Sequence, residues 1–225
     1  MAGRNERPLV SDRWPNVKIA GSYDCTFWRS ISGRLSDSGE FSGAVPGPNW
    51  QIAFDVIHDR IDTRFLEPTR LLIGSRYEYA GFAVLALDAV VIETIQRLRK
   101  GLRSVEGESR NLVTEFLRTA PGFSRYFPPD GHVPARECPC TPCDFYRNVR
   151  SGVTHDGETH NGWLVRYGGS ELLVERGGVR LLDRNLFHRA VETEFESYLN
   201  DLAQSRNALL RAHLKAALDG ICSDA

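Results

Sequence analysis

The sequence predicts a mainly α-helical protein, a helical bundle with a small β-hairpin or meander inserted before the last long helix. The first observation is that apolar residues recur at three- to five-residue spacing over long stretches, which is typical of amphipathic helices. The second is a region, residues 163–182, where apolar and β-branched residues are interrupted by paired glycines, as in short strands joined by turns. With 225 residues, 41% of them hydrophobic, the chain is long enough for one sizeable core.

The first 48 residues differ from the rest, since they are rich in Gly, Ser and Pro and carry only scattered aromatic residues. We expect residues 1–48 to form an N-terminal arm that packs on the body, with short strands around residues 17–19. Residues 49–225 are expected to form the helical domain.

Three helices are expected in the first half of this domain. Asn49 and Ser109 are residue types that cap helices, and Gly101 is a typical stop signal. The expected helices are residues 49–67, which end before Pro68, then residues 76–100 and residues 109–118. Prolines between residues 121 and 134 predict an irregular connection.

The second half begins with Thr141 and Pro142, which predict a helix N-cap followed by proline in the first turn. That helix should run through Val149 and weaken at Gly152. Three strands of a small meander are expected at residues 163–167, 172–175 and 179–182. Asp183 then opens a helical region to about residue 218, and the pattern leaves open whether this region breaks near Ser205.

Charge and cysteine content narrow the classes of function. The net charge of −1 gives no bulk attraction to nucleic acid, so any RNA-binding surface must be local. Five cysteines, three of them within six residues, do not form a secreted disulfide framework and favour a reducing cytoplasm. The N-terminus has no apolar signal sequence, and the most apolar stretch, residues 79–92, is too short to span a bilayer. We therefore expect a cytoplasmic protein without a membrane partner.

The candidate chemistry lies in the pair Arg150 and His155, which are separated by four residues at the end of a predicted helix. Two other Arg–His pairs have similar spacing, Arg125 with His132 and Arg206 with His213. His132 falls in a proline-rich loop, and His213 falls late in the final helix. Only Arg150 and His155 lie at the end of a capped helix, with aromatic residues before them and a glycine-rich segment after them.

The segment of residues 145–155 resembles the signature of HEPN domains, a family of helical ribonucleases and RNA-associated proteins whose motif is Arg, four to six residues, then His. Arg147-Asn148 also reproduces an Arg-Asn dipeptide common in that family, although Arg150 is followed by Ser151, where members often carry Asn, Asp or His. The resemblance implies a homodimer in which two copies share one site. It also implies a toxin or phage-defence effector, with a regulatory or antitoxin partner.

This pair suits RNA because RNA carries its own nucleophile, the 2'-hydroxyl. Histidine, with an ordinary pKa of about 6.5, exchanges protons near neutrality, and an Arg guanidinium holds a phosphate with two parallel hydrogen bonds. We expect Arg150 and His155 to be catalytic, without metal or cofactor, and Arg147 and Asn148 to bind RNA. One geometric obstacle stands out, since residues five apart on a regular α-helix diverge by about 140° unless the helix unwinds at Gly152.

Several alternatives stay open. Arg147 is equally suited to a salt bridge with Asp144, three residues before it. The chain is alternatively a non-catalytic HEPN-like module that binds RNA or a protein partner. Three cysteines and one histidine fall within one 12-residue loop and either bind a structural zinc ion or pack as reduced thiols, the residues being His132, Cys138, Cys140 and Cys143. The third alternative is accordingly a zinc-stabilised interaction protein with no RNA role.

Overall fold

The computed structural model describes residues 18–36, 41–42, 45–102, 106–128, 131–133 and 138–223. These residues are mainly helical, with a small three-stranded sheet in the C-terminal half, as the sequence predicts. The helices are α1 (Cys25–Ser32), α2 (Pro48–Ile61), α3 (Glu67–Gly74), α4 (Gly81–Lys100), α5 (Ser109–Thr119), α6 (Pro121–Ser124), α7 (Thr141–Phe145), α8 (Arg184–Ala203) and α9 (Ala208–Ser223). No helix among these residues is both long enough and apolar enough to cross a membrane.

Within the described ranges, two segments are π-helical, Asp62–Leu66 and Tyr146–Asp156, and Glu78–Ala80 is a 3-10 turn before α4. The strands are β1 (Phe41–Ser42), β2 (Val45–Pro46), β3 (Trp163–Arg166), β4 (Leu173–Arg176) and β5 (Val179–Asp183). The first two strands pair with each other, and the other three form the small sheet.

The chain divides into two compact units. We call Met1–Thr63, Leu98–Arg103 and Leu199–Ala225 the terminal unit, and Arg64–Arg97 with Ser104–Tyr198 the central unit.

In the terminal unit, α1 packs on α9. The buried Trp28 indole donates a hydrogen bond to Asp219 at 2.8 Å. Arg211, also buried, donates to the carbonyls of Leu202, Gln204 and Ser205 at 2.6–3.0 Å. The Leu202 carbonyl is one of those that the end of α8 leaves free, and Gln204 and Ser205 lie in the turn that follows. The helical region therefore breaks near Ser205.

The core of the central unit is aromatic. Phe145 of α7 stacks on Phe187 of α8 with ring centres 5.5 Å apart, and it meets Trp163 of β3 edge-on at 5.7 Å. Phe123 and Phe127 extend the same cluster, and all five side chains are buried. This packing fixes α7, and therefore the π-helix that follows it, against the sheet and α8.

The predicted meander is wrong, although the β4–β5 hairpin is present. The strand order is β3-β5-β4, with β3 parallel to β5 and β4 antiparallel to β5. Gly177 and Gly178, both at positive φ, form the tight hairpin turn. The chain between β3 and β5 carries β4 and is long enough for the crossover that parallel strands require.

Several predicted boundaries are wrong. The residues that precede α2, α5 and α7 are Gly47, Glu108 and Cys140, so Asn49, Ser109 and Thr141 lie inside the first turns. Pro68 does not end the helical stretch, because the backbone continues without a break from the π-helix Asp62–Leu66 into α3, which contains Pro68 near its start.

The region predicted as an N-terminal arm contains a helix that the pattern did not indicate. Helix α1 begins after Asp24, whose side chain accepts a hydrogen bond from the Phe27 amide at 2.8 Å. Of the strand expected at residues 17–19, Lys18 forms one isolated bridge with Asp24. Val17 lies outside the described residues.

Candidate active site on a π-helix

Arg150 and His155 both lie on the π-helix Tyr146–Asp156, which continues directly from α7. In a π-helix the backbone hydrogen bonds join residues five apart, instead of four apart as in an α-helix. Each residue of a π-helix turns through a smaller angle than in an α-helix, so His155 lies nearer to the side that carries Arg150 than in a regular α-helix, where the two diverge by about 140°. The divergence is thus reduced by widening the whole segment, and not by unwinding at Gly152 alone.

Gly152 leaves room for the chain that returns past this helix. A Cβ atom there would lie 2.4 Å from the carbonyl oxygen of Glu158 and 2.9 Å from the imidazole of His160. The amide of His160 also donates to the carbonyl of Asn148 at 2.9 Å. The turn after the helix is thus packed directly against its backbone.

The guanidinium of Arg150 is held by Glu93 on α4. Nε and Nη2 of Arg150 each lie 2.8 Å from Oε1 of this buried carboxylate. Glu93 Oε1 also accepts from the Ser109 hydroxyl, which in turn accepts from the Tyr146 hydroxyl. Arg150 lies over the ring of Tyr146 as well, 5.6 Å from its centre. Sequence reasoning did not find Glu93, because it lies 57 positions from its partner.

His155 is in a different environment, exposed at the end of the π-helix. Its imidazole makes no hydrogen bond or ion pair with any residue that the structure describes. The nearby carboxylates of Asp156 and Glu158 lie 3.0 and 3.8 Å from the imidazole of His160. The pair therefore combines a fixed cation with an imidazole that is open to solvent.

Of the two residues expected to bind RNA, Arg147 is partly exposed and Asn148 is buried. Arg147 pairs with Asp144 at 3.4 Å, the salt bridge that the sequence left open, and donates to the Cys138 carbonyl. Asn148 is buried, donating to Asp144 and accepting from the amide of Asn161.

Asp144 also accepts hydrogen bonds from the Trp163 indole, at 2.8 Å, and from Arg180. This one carboxylate therefore ties the start of the π-helix to β3 and β5. The sequence indicated Asp144 only as a salt-bridge partner of Arg147.

The two other Arg–His pairs of similar spacing have different surroundings. His132 lies in the cysteine cluster described below. Arg206 and His213 both line a groove of about 460 Å³ in the terminal unit, where Nδ1 of His213 lies 3.0 Å from the Arg99 carbonyl oxygen. This second pair is the direct competitor of Arg150 and His155 and serves as its matched control.

The central unit also contains a buried Asp–His pair that no sequence pattern indicated. Nδ1 of His188 lies 2.7 Å from Oδ1 of Asp88, and both side chains are almost fully buried. Burial raises the pKa of Asp88 from 3.8 to about 6, against the hydrogen bond from His188, which lowers it. Glu192 lies 3.4 Å from the other ring nitrogen and pairs with Arg70.

A groove of about 380 Å³ in the central unit is lined by the exposed tyrosines Tyr79 and Tyr167. Arg184 lies over the Tyr167 ring, 5.0 Å from its centre, and donates to the carbonyls of Tyr77 and Glu78. Exposed aromatic rings of this kind stack on unpaired bases. The sequence did not indicate this groove, because its walls come from three separate segments.

The cysteine cluster lies immediately before the π-helix. The Nδ1 or Nε2 of His132 and the sulfurs of Cys138, Cys140 and Cys143 lie within 4.8 Å of one another. Burial acts to raise the pKa of Cys138, but hydrogen bonds from the Val133 amide and the two neighbouring cysteines lower it to about 6.

Comparison of the chain with protein-family models, curated proteins and solved structures finds no match. The resemblance to HEPN domains therefore rests on the residues of the chain itself.

Proposed function

We propose that the protein is a metal-independent endoribonuclease of HEPN type, with Arg150 and His155 as its catalytic residues. The observation that carries the proposal is the π-helix Tyr146–Asp156, because its wider turn brings the side chains of Arg150 and His155 nearer to one face than a regular α-helix would. π-helices are rare and occur frequently at functional sites.

The proposed reaction is attack by the 2'-oxygen of the substrate on the adjacent phosphorus. A bond forms between these two atoms while the bond from phosphorus to the 5'-oxygen breaks. His155 accepts the proton of the 2'-hydroxyl or donates a proton to the leaving 5'-oxygen. The products are a 2',3'-cyclic phosphate and a 5'-hydroxyl.

Arg150 would stabilise the charge that develops on the phosphate oxygens. Glu93 occupies its Nε and Nη2 edge, so the Nη1 end, which contacts the Thr154 hydroxyl at 3.4 Å, is the part left for a phosphate. An arginine whose orientation is fixed by a buried carboxylate loses less side-chain entropy when it binds phosphate.

Proton transfer at two oxygens calls for two groups, and each chain offers one exposed imidazole on this helix. A second copy related by a two-fold axis would supply the other His155 and a second Arg150. RNA would then lie in the groove between the copies. Arg147, whose side chain is 36% exposed, remains a candidate for phosphate contact. The buried Asn148 does not enter the proposal.

The test is cleavage of a mixed RNA pool by purified protein in excess chelator. Wild-type protein should cut, and His155→Ala should lose at least about 100-fold in rate while it stays folded, because His155 is exposed and makes no hydrogen bond or ion pair with the described residues. Arg150→Lys should also be poor, since an ammonium keeps the charge but loses the planar fork. His213→Ala should keep wild-type activity. Loss of activity in His213→Ala, together with full activity in His155→Ala, would show that the active site lies in the terminal unit.

A second candidate function is a non-catalytic module that binds RNA or a protein partner. The observation that favours it is the ion pair of Arg150 with Glu93, which neutralises the charge of the guanidinium. RNA binding by wild-type protein without cleavage of any RNA would select this function.

A further inference from the structure

The side chains of His132, Cys138, Cys140 and Cys143 converge on one point. From Nδ1 of His132, the sulfurs of Cys140, Cys138 and Cys143 lie 3.4, 3.6 and 3.7 Å away. The sulfurs of Cys138 and Cys140 are 3.2 Å apart, and all three cysteines are buried. Four ligand atoms thus surround a common centre.

The distances from the His132 nitrogen agree with those of a tetrahedral zinc site, whereas the 3.2 Å between the sulfurs of Cys138 and Cys140 is shorter than the distance of about 3.8 Å expected for two zinc-bound thiolates. With Zn–S near 2.3 Å and Zn–N near 2.0–2.1 Å, tetrahedral angles put a nitrogen and a sulfur ligand about 3.6 Å apart. The three measured N–S distances all lie close to that value. Three sulfurs and one imidazole nitrogen are also a common set for structural zinc, whereas oxygen-preferring cations avoid thiolates.

The surroundings also suit thiolate ligands. The Val133 amide donates to the sulfur of Cys138 at 3.3 Å, and Arg110 donates to the sulfur of Cys143 at 3.4 Å. Zinc with three thiolates and one neutral imidazole has a net charge of −1, and the guanidinium of Arg110 compensates for it. Hydrogen bonds of this kind orient and tune metal ligands.

The other roles for three adjacent thiols explain less. None of the described cysteines is in a disulfide. As packing residues, the three cysteines form a buried cluster of their own, with no larger apolar side chain in it. Packing alone gives no reason for a histidine nitrogen at nearly equal distance from three sulfurs.

We propose that His132, Cys138, Cys140 and Cys143 bind one structural zinc ion. Four protein ligands leave no coordination position for substrate or water, so the ion has no part in cleavage chemistry. Cys140 immediately precedes α7 and Cys143 lies within it, so the ion anchors the start of the helix that leads to Arg150 and His155. Arg147 reinforces this anchor through its hydrogen bond to the Cys138 carbonyl.

The test is the metal content of protein purified under reducing conditions without chelator. We expect about one zinc ion per chain by elemental analysis. Protein stripped of metal and reloaded with Co²⁺ should show the visible absorption of tetrahedral cobalt and a thiolate charge-transfer band. The thermal midpoint of stripped protein should rise when zinc is added back.

Two ligand variants and one control locate the ion. Cys143→Ser and His132→Ala should each lower bound zinc at least about tenfold, and Cys25→Ser should leave it unchanged, because Cys25 is a buried thiol outside the cluster. If the ligand variants do not fold, the cobalt spectrum of wild-type protein shows whether thiolates bind the metal in a tetrahedral site. A wild-type protein that takes up neither zinc nor cobalt, or that has a disulfide between two of these cysteines under reducing conditions, would overturn the proposal.

Discussion

Nε and Nη2 of Arg150 share a single oxygen, Oε1 of Glu93, at 2.8 Å each. The carboxylate is buried on α4 and the arginine side chain is only 18% exposed, so the pair is well shielded from water. Glu93 therefore acts as a positioning residue for the proposed catalytic arginine.

This relationship predicts that the two residues act as one unit. Arg150→Ala should lower kcat/KM for RNA cleavage about 100-fold, and Glu93→Gln about 10-fold, because an amide holds the guanidinium less firmly. Glu93→Gln on an Arg150→Ala background should cost almost nothing further. Glu175→Gln, which alters an exposed ion pair with Arg180, is the control and should be neutral. Losses that multiply in the double variant would show that Glu93 acts independently.

The close packing at Gly152 gives a second prediction. Gly152→Ala should destabilise the protein by about 1–3 kcal/mol, because the new methyl group meets the Glu158 carbonyl and His160. Gly220→Ala is the matched control. Gly220 also lies in a helix, but it has open space around it, so alanine should stabilise by about 0.4–1 kcal/mol. Urea denaturation of both variants measures the difference, and equal effects would mean that the turn does not press on the π-helix.

A site shared between two copies predicts a dimer at the concentrations where the protein is active. Light scattering should give about twice the 25.3 kDa mass of one chain. Mixing His155→Ala with Arg150→Ala chains should restore part of the activity if one copy supplies what the other lacks. A monomer with full activity would exclude the shared site.

The buried Asp88 predicts a pH-dependent contribution to stability. Its pKa is raised from 3.8 to about 6, so folding favours the protonated form. This contribution is fully present below about pH 4 and is lost as pH rises through about 6. Asp88→Asn keeps an acceptor for His188 but has no charge, so its stability relative to wild type should improve between pH 4 and pH 7.

Asp219 provides a control of opposite sign. Burial acts to raise its pKa, but hydrogen bonds from Lys215, Ser32 and Trp28 outweigh burial and lower it. The stability that the Asp219 carboxylate contributes is present above its ordinary pKa of 3.8 and is lost as pH falls below it. Asp219→Asn should therefore be less stable than wild type near neutral pH, and this difference should disappear in acid. Urea midpoints at several pH values measure both variants. Parallel pH profiles for Asp88→Asn and wild type would refute the assignment for Asp88.

The helices that the sequence predicted are those with a long apolar repeat. Helices α4 and α8 lie within the predicted stretches, because burial of one face imposes the period of 3.6 residues along many turns. Helix α9 begins within a predicted stretch but runs on to Ser223, beyond the predicted end near residue 218. Helix α1 has eight residues and depends on the Asp24 cap, so its repeat is too short to detect. The strand order was not predicted correctly, because alternation of apolar and polar residues identifies strands but does not show which strands pair.

The candidate site was predicted in part. Spacing indicated Arg150 and His155, and residue types in one loop indicated the four residues proposed to bind zinc. The π-helix was not predicted, because the packing of Glu158 and His160 against Gly152 comes from the turn that follows the helix, which the local pattern does not indicate. Glu93 was also not predictable, because an ion pair between residues 57 positions apart leaves no local sequence pattern.

The most direct test of the central claim is end-group analysis of the RNA fragments. The protein is incubated in excess chelator with an RNA that has one preferred cleavage site, and with the same RNA bearing a 2'-deoxy nucleotide there. Attack by the 2'-hydroxyl with proton transfer by His155 predicts fragments with 2',3'-cyclic phosphate and 5'-hydroxyl ends, and no cutting of the deoxy substrate. Fragments with 5'-phosphate and 3'-hydroxyl ends, or equal cutting of both substrates, would contradict catalysis by Arg150 and His155.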